Sequence, residues 1–165
     1  MSKVVCLDSQ VIIWGIKRQA EHDQSDMIAI ATDFIKHLSD EEYEVIVPSP
    51  VLSELMVRMP LDKHAAFVDY MQSNFMIAPF DALAAVKCAE MMAAYRSDEE
   101  LKQYREENKI TNATIKYDYQ IAAIACVGNC ECIYSYDKGL KNFASGHIEV
   151  RQIPRSLGSQ ASIFG

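Results

Sequence analysis

Two kinds of apolar run alternate along the chain. The short kind comprises "KVVCL" (3–7), "YEVIVP" (43–48), "FMIAPF" (75–80), Ile133 and Tyr134 within 132–135, and "IEVRQI" (148–153). "KVVCL" is continuously apolar and rich in valine, as strands buried on both faces are. The longer kind has helical spacing. In "DMIAIATDFIKHL" (26–38), Ile28, Ala31, Ile35 and Leu38 fall at helical spacing, and Ser25 is the expected N-cap. "SPVLSELMVRM" (49–59) reads as a helix capped by Ser49, with Pro50 in the favoured first position and Pro60 as the stop. "LDKHAAFVDYMQSN" (61–74) is amphipathic, and Asp81 caps the apolar "ALAAVKCAEMMAAYR" (82–96). "SDEELKQYREENK" (97–109) is charged but helical in propensity, whereas "ITNATIKY" (110–117) has poor helix formers and reads as a connector. "DYQIAAIACVG" (118–128) is apolar nearly all round, a buried helix opened by Asp118 and stopped by Gly128.

Strands alternating with helices, and strands that read as buried, predict an α/β fold: three layers, with a mainly parallel sheet of about five strands covered on both faces. The pattern fits one domain over 1–153, a charged helical extension at about 97–117 and a C-terminal tail at 154–165, a loosely held terminus. The extension is either a projecting hairpin or, more simply, a solvated face. No apolar run reaches the roughly 18 residues of a membrane helix. The opening "MSKVVCLDSQVIIW" lacks the pattern of a signal peptide, so a cytoplasmic protein with no membrane partner is expected.

Composition narrows the chemistry. The 165 residues carry 23 acidic and 16 basic side chains, a formal net charge of −7, which disfavours non-specific affinity for nucleic acid. It does not exclude an enzyme acting on nucleic acid, because a bound divalent cation offsets a carboxylate cluster. Five cysteines, an odd number, argue against a disulfide framework. Cys126, Cys130 and Cys132 match no common zinc spacing and read as reduced, mostly buried thiols, with Cys130 the most exposed. The histidines His22, His37, His64 and His147 are scattered, and no glycine-rich phosphate loop is present.

In a parallel α/β sheet, ligands bind beyond the carboxyl ends of the strands. Asp8 follows the first strand, Asp137 follows the strand at 132–135, Asp118 opens the buried helix before that strand, and Glu54 lies on the helix after the second strand. Singly, most have structural explanations: Asp118 as an N-cap, Asp137 as a turn residue before Lys138 and Gly139, Glu54 as a partner of Arg58. Asp8 lies between "VVCL" and "VIIW" and needs a partner or a metal there. Gathered together, the four need a cation to offset their repulsion, and a hard divalent ion takes oxygen ligands and activates water against a phosphodiester.

At these positions the chain resembles the PIN-domain ribonucleases, a family that includes the toxin halves of bacterial toxin–antitoxin pairs. The matching pieces are "VVCLDSQVIIW", "VIVPSPVLSELM", "DALAAVKCAEMMAAY", "YDYQIAAIACVGNC" and "IYSYDKGLKNFA", in the family's order. The resemblance implies a PIN-like fold and a Mg²⁺- or Mn²⁺-dependent endoribonuclease. It implies Asp8, Glu54, Asp118 and Asp137 as metal ligands and catalytic groups, with Ser135 orienting a carboxylate or a phosphate. Asn142 stands where the family often has a further acid. Lys116, Lys138, Lys141 and Arg151 are candidate phosphate contacts, a solvated surface being the equal alternative. RNA substrate, an antitoxin and a homodimer are the implied partners, and Met91, Met92, Ala93 and Ala94 suit either core or a dimer face. A weakly active PIN-like binding module and a structure-specific DNA nuclease are the alternatives.

Overall fold

The computed structural model describes residues 3–157. Its strands are β1 (Val4–Leu7), β2 (Glu44–Pro48), β3 (Met76–Ala78), β4 (Ile133–Tyr134) and β5 (Val150–Arg151). Its α-helices are α1 (Ser9–Gly15), α2 (Asp26–Asp40), α3 (Ser49–Met56), α4 (His64–Asn74), α5 (Ala82–Arg96), α6 (Glu99–Glu107), α7 (Asn112–Val127) and α8 (Lys138–Ala144). The strands form one parallel sheet in the order β3-β2-β1-β4-β5. This is the α/β fold expected, parallel throughout.

The register shows why the strands are apolar on both faces. Leu7 pairs with Tyr134, and Cys6 with Ile46 and Ile133, so Tyr134 and Ile46 point to opposite faces. Tyr134 meets Phe34 of α2 edge-on at 4.7 Å between ring centroids. On the other face, a Cβ added to Gly128 at the end of α7 would stand 2.5 Å from Ile46 Cδ1. A side chain at 128 would require Ile46 Cδ1 to move aside. Val5, Cys6, Leu7 and Val47 are fully buried between these layers, and each buried aliphatic side chain contributes about 1.5–3 kcal/mol.

Several local expectations are corrected. The connector at 110–117 is helical: Thr111 caps α7 by accepting from the Thr114 N–H, and burial of Ile115 outweighs weak propensity. Asp118 therefore lies in the second turn of α7 and does not open it. Pro48, not Ser49, occupies the cap position of α3, and that helix ends at Met56, short of Pro60. The short helices α1 and α8, at the start of each crossing from the sheet, were not anticipated. The charged segment does not project freely: Tyr104 of α6 packs edge-on against Phe143 of α8 at 5.8 Å. Of the helix-α5 residues weighed as core or contact face, Met91 is buried, Met92 half-buried, and Ala93 and Ala94 exposed. Cys126 and Cys130 are both half-buried, and Cys6, Cys88 and Cys132 are buried. Most of the tail, 158–165, lies outside the described residues.

Candidate active site

Strands β1 and β4 are neighbours, and each runs directly into a short helix. Asp8 caps α1 and Asp137 caps α8. Asp8 Oδ1 accepts from the Ser9 N–H at 2.8 Å, and Asp137 Oδ1 accepts from the Leu140 N–H at 2.9 Å. Asp137, read from sequence as a turn residue, is thus a helix cap, as is Asp8, but capping uses only one oxygen of each carboxylate. Ser135 ties the two caps together. Its hydroxyl donates to Asp8 Oδ2 at 2.6 Å and accepts from the Asp137 N–H at 3.1 Å. Adjacent strands and a shared hydroxyl thus fix two carboxylates side by side.

The other two acids come from helices. Glu54, in the second turn of α3, is exposed and accepts from the Tyr117 hydroxyl at 2.5 Å through Oε2. The alternative pairing with Arg58 is not made. Asp118 is 4 % exposed, and its Oδ2 is buried with no hydrogen-bond partner. A buried carboxylate oxygen without a donor is costly, of order 1–3 kcal/mol or more for a charged group. Gly139 sits against it: a Cβ there would stand 3.1 Å from Asp137 Oδ1 and 3.4 Å from Asp118 Oδ2. The α8 backbone therefore passes close to both carboxylates, and a side chain at 139 would crowd them.

Burial pushes Asp118 up to about 8, and the like charges of Asp137, Asp8 and Glu54 push the same way. Asp8 is also raised, chiefly by burial, with the Ser135 and Ser9 donors partly offsetting it and Glu54 and Asp137 adding repulsion. Asp118 thus feels the other three carboxylates, and Asp8 feels Glu54 and Asp137. A cavity of about 390 Å³ opens above them, walled by Asp8, Glu54, Asp137, Trp14 and Tyr136. Trp14 and Tyr136 meet edge-on at 4.9 Å.

Among the described residues, no three His, Cys, Asp or Glu side chains are gathered tightly enough to hold a metal ion as they stand. The donor chemistry nevertheless fits a hard cation. Four carboxylates with all-oxygen donors suit Mg²⁺ or Mn²⁺, and Mg²⁺ is commonly bound through one or two carboxylates and several waters. The buried, unpartnered Asp118 Oδ2 is relieved either by a proton or by a bound cation.

The remaining sequence candidates separate. Lys138 is exposed beside Asp137. Lys116 lies in a different cleft, between α5, α6 and α7. Asn142 donates to the Lys138 carbonyl within its own helix and does not line the acidic cavity. Lys141 lies in a shallow hollow with His147 and Glu149. Arg151 pairs with Glu149 at 2.8 Å and Glu131 at 3.5 Å, because the segments leading into β4 and β5 each supply an acid there. Sequence reasoning missed Tyr117, Gly139, Trp14 and Tyr136. Tyr117 and Gly139 adjoin recognised acids, but nothing in their spacing reveals a contact across the fold.

A PIN domain family model matches residues 5–146. The chain belongs to the PIN domain family. That match spans all four carboxylates of the PIN domain. No curated protein sequence matches it. Among solved structures, it is similar to a chain of VapBC2 from Rickettsia felis bound to a DNA fragment from the promoter. That likeness has a TM-score of 0.59 and 15% identity, over 92% of this chain and 99% of that one. It is also similar to a chain of DNA-bound VapBC from Salmonella typhimurium, with a TM-score of 0.54 and 18% identity, over 93% of this chain and 100% of that one. At these identities the likeness is one of fold, and it confirms the PIN-like architecture.

Proposed function

We propose that this PIN-domain protein is a metal-dependent endoribonuclease, the toxin of a toxin–antitoxin pair. The observation that carries the reading is the buried, unpartnered Asp118 Oδ2 close to Asp137, which with Asp8 and Glu54 walls a cavity. Such an arrangement is unfavourable without a cation and useful with one. Asp8, Asp118 and Asp137 would hold Mg²⁺ or Mn²⁺, directly or through water, with Glu54 at the edge. When bound, the ion would neutralise charge on the phosphodiester and make water there more acidic.

The chain's own groups then have distinct tasks. Ser135 keeps Asp8 oriented and discourages its protonation by donating to Oδ2. Tyr117 occupies Glu54 Oε2, leaving Oε1 to accept the proton of the attacking water. Lys138, exposed next to Asp137, contacts a backbone phosphate without reading sequence. The walls formed by Trp14 and Tyr136 limit water in the cavity.

Likeness to the VapBC chains supports an antitoxin partner. For the homodimer, the support is an edge strand, β3, together with exposed apolar side chains: Leu61 at 84%, Leu83 at 68% and Val86 at 60%. Light scattering that gives a dimer mass supports this, and a monomer mass refutes it. No described helix is long and apolar enough to cross a membrane, and we place the protein in the cytoplasm.

The deciding assay uses end-labelled single-stranded RNA and DNA with Mg²⁺, Mn²⁺ or EDTA, comparing wild type with Asp8→Asn. RNA cleavage by wild type alone, abolished by EDTA, is the expected result. DNA-only cleavage would assign the site to a DNA nuclease. No metal-dependent cleavage of either polymer would leave a binding module.

A further inference from the structure

Helix α6 turns two cations toward its neighbours α5 and α7. Its nine residues hold four acids, Glu99, Glu100, Glu106 and Glu107, against Lys102 and Arg105. Lys102 and Arg105, three residues apart, are half-buried and line the inner side of the helix; the four glutamates are exposed, and of them Glu106 also borders that side. Inward, the two cations meet Arg96 from the end of α5 and Lys116 from the start of α7. The four line a cleft of about 420 Å³, in which Glu106 is the only acid among the described residues. A chain with a net charge of −7 thus concentrates cations in one concavity.

The four are not consumed by internal partners. Arg96 and Lys116 are exposed and make no ion pair among the described residues. Lys102 pairs with Glu99 at 3.2 Å, but Glu99 is 85% exposed, so the pair is weak and screened. Arg105 donates Nε to the Ile110 carbonyl at 3.1 Å, which fixes its stem and leaves its two terminal nitrogens for a ligand. The first turn of α7, beside the cleft, contains no acidic residue. Its free N–H groups add positive potential.

The cleft adjoins the acidic cavity through one turn of helix. Lys116, Tyr117 and Asp118 are consecutive on α7: Lys116 lines the cleft, Tyr117 reaches Glu54, and Asp118 is the buried acid. Residues two apart differ by about 200° around a helix and about 3 Å along it. A polymer that reached both would have to cross the first turns of α7. Spaced cations on a half-open groove suit a run of phosphates better than one compact anion.

We propose that the α5–α6–α7 cleft is a second nucleic-acid contact. It is a phosphate-backbone site that holds single-stranded polynucleotide on the far side of α7 from the carboxylates. The identity of the ligand as a polynucleotide rests on the nuclease reading above. The contact is sequence-independent, since it is made by cations and helix N–H groups to the backbone.

The test is fluorescence anisotropy of the full chain with a labelled single-stranded RNA in EDTA, across a range of salt. The variants are Arg96→Glu with Lys102→Glu together, and Arg96→Gln alone as the mild change should the pair alter folding. Each phosphate neutralised contributes about −0.7 to the slope of log affinity against log salt for single strands. The double variant should flatten the slope by about 1.4 and weaken binding by about tenfold or more at low salt, and Arg96→Gln should flatten it by about 0.7. Slopes and affinities equal to wild type in both variants would overturn the assignment. So would a labelled polyglutamate peptide that binds wild type more tightly than RNA and loses binding in the variants, since the cleft would then be a protein-docking site. Cleft-dependent RNA binding without metal-dependent cleavage would leave this assignment standing and remove the nuclease reading. Cleavage with unchanged RNA binding in both variants would do the reverse.

Discussion

Tyr117 donates its hydroxyl to Glu54 across 63 positions of sequence, tying the second turn of α7 to the second turn of α3. The tyrosine is itself raised well above its usual range, by burial first and by the Glu54 bond second, so it stays a donor at any working pH. Tyr117→Phe removes that donor and nothing else of comparable size. If the bond holds Glu54 more strongly in the transition state than in the ground state by about 1.4–2.7 kcal/mol, turnover should fall about 10- to 100-fold. Single-turnover cleavage of labelled RNA measures this, and the thermal midpoint should move little. Unchanged turnover would remove Glu54 from the proposed mechanism.

Ser135→Ala should destabilise the fold as well as the site. It leaves Asp8 Oδ2 buried without its donor and the Asp137 N–H without its acceptor. Loss of about 1–3 kcal/mol in urea unfolding is expected. Ser135→Thr, which keeps the hydroxyl, should recover most of it, and equal losses for Ala and Thr would mean that packing, not the hydroxyl, matters.

Gly139→Ala separates the carboxylates from the helix. Alanine favours α8 by about 1 kcal/mol in an open helix. Its Cβ, however, would press on Asp137 Oδ1, which cannot swing away while it caps the Leu140 N–H. The protein should fold, and its midpoint for Mn²⁺ in cleavage should rise severalfold. An unchanged midpoint would show that the approach of α8 does not shape the site.

Much of this was legible beforehand. The buried strands, the Asp81 cap and the Gly128 stop follow from local pattern, because a strand buried on both faces and an N-cap need only nearby residues. The four acids could be ordered by their positions relative to the strands. What could not be read are the contacts made in three dimensions. The weak formers of "ITNATIKY" concealed the start of α7, since the burial of Ile115 that stabilises it is tertiary. Arg151 looked free in sequence, yet Glu131 and Glu149 take it. The gathering of Arg96, Lys102, Arg105 and Lys116 is visible only when α5, α6 and α7 stand together.

Proton linkage offers a test that needs no substrate. With metal chelated, native Asp118 holds its proton up to about pH 8, whereas an unfolded aspartate releases it near 3.9. Between those values the folded state binds more protons, so this group makes stability fall as pH rises, and the loss is complete above about 8. Urea midpoints of the chelated protein should therefore decline from pH 5 to pH 8 more steeply in wild type than in Asp118→Asn. Identical slopes would show that Asp118 is not held protonated in the metal-free fold.

The measurement closest to the central claim is a Mn²⁺ titration followed by electron paramagnetic resonance, on wild type and Asp118→Asn at pH 6 and pH 8. Wild type should remove free Mn²⁺ from solution, more strongly at pH 8 as Asp118 loses its proton, and Asp118→Asn should lose that binding at both values. Equal Mn²⁺ uptake by wild type and Asp118→Asn would contradict a cation site built around the buried carboxylate.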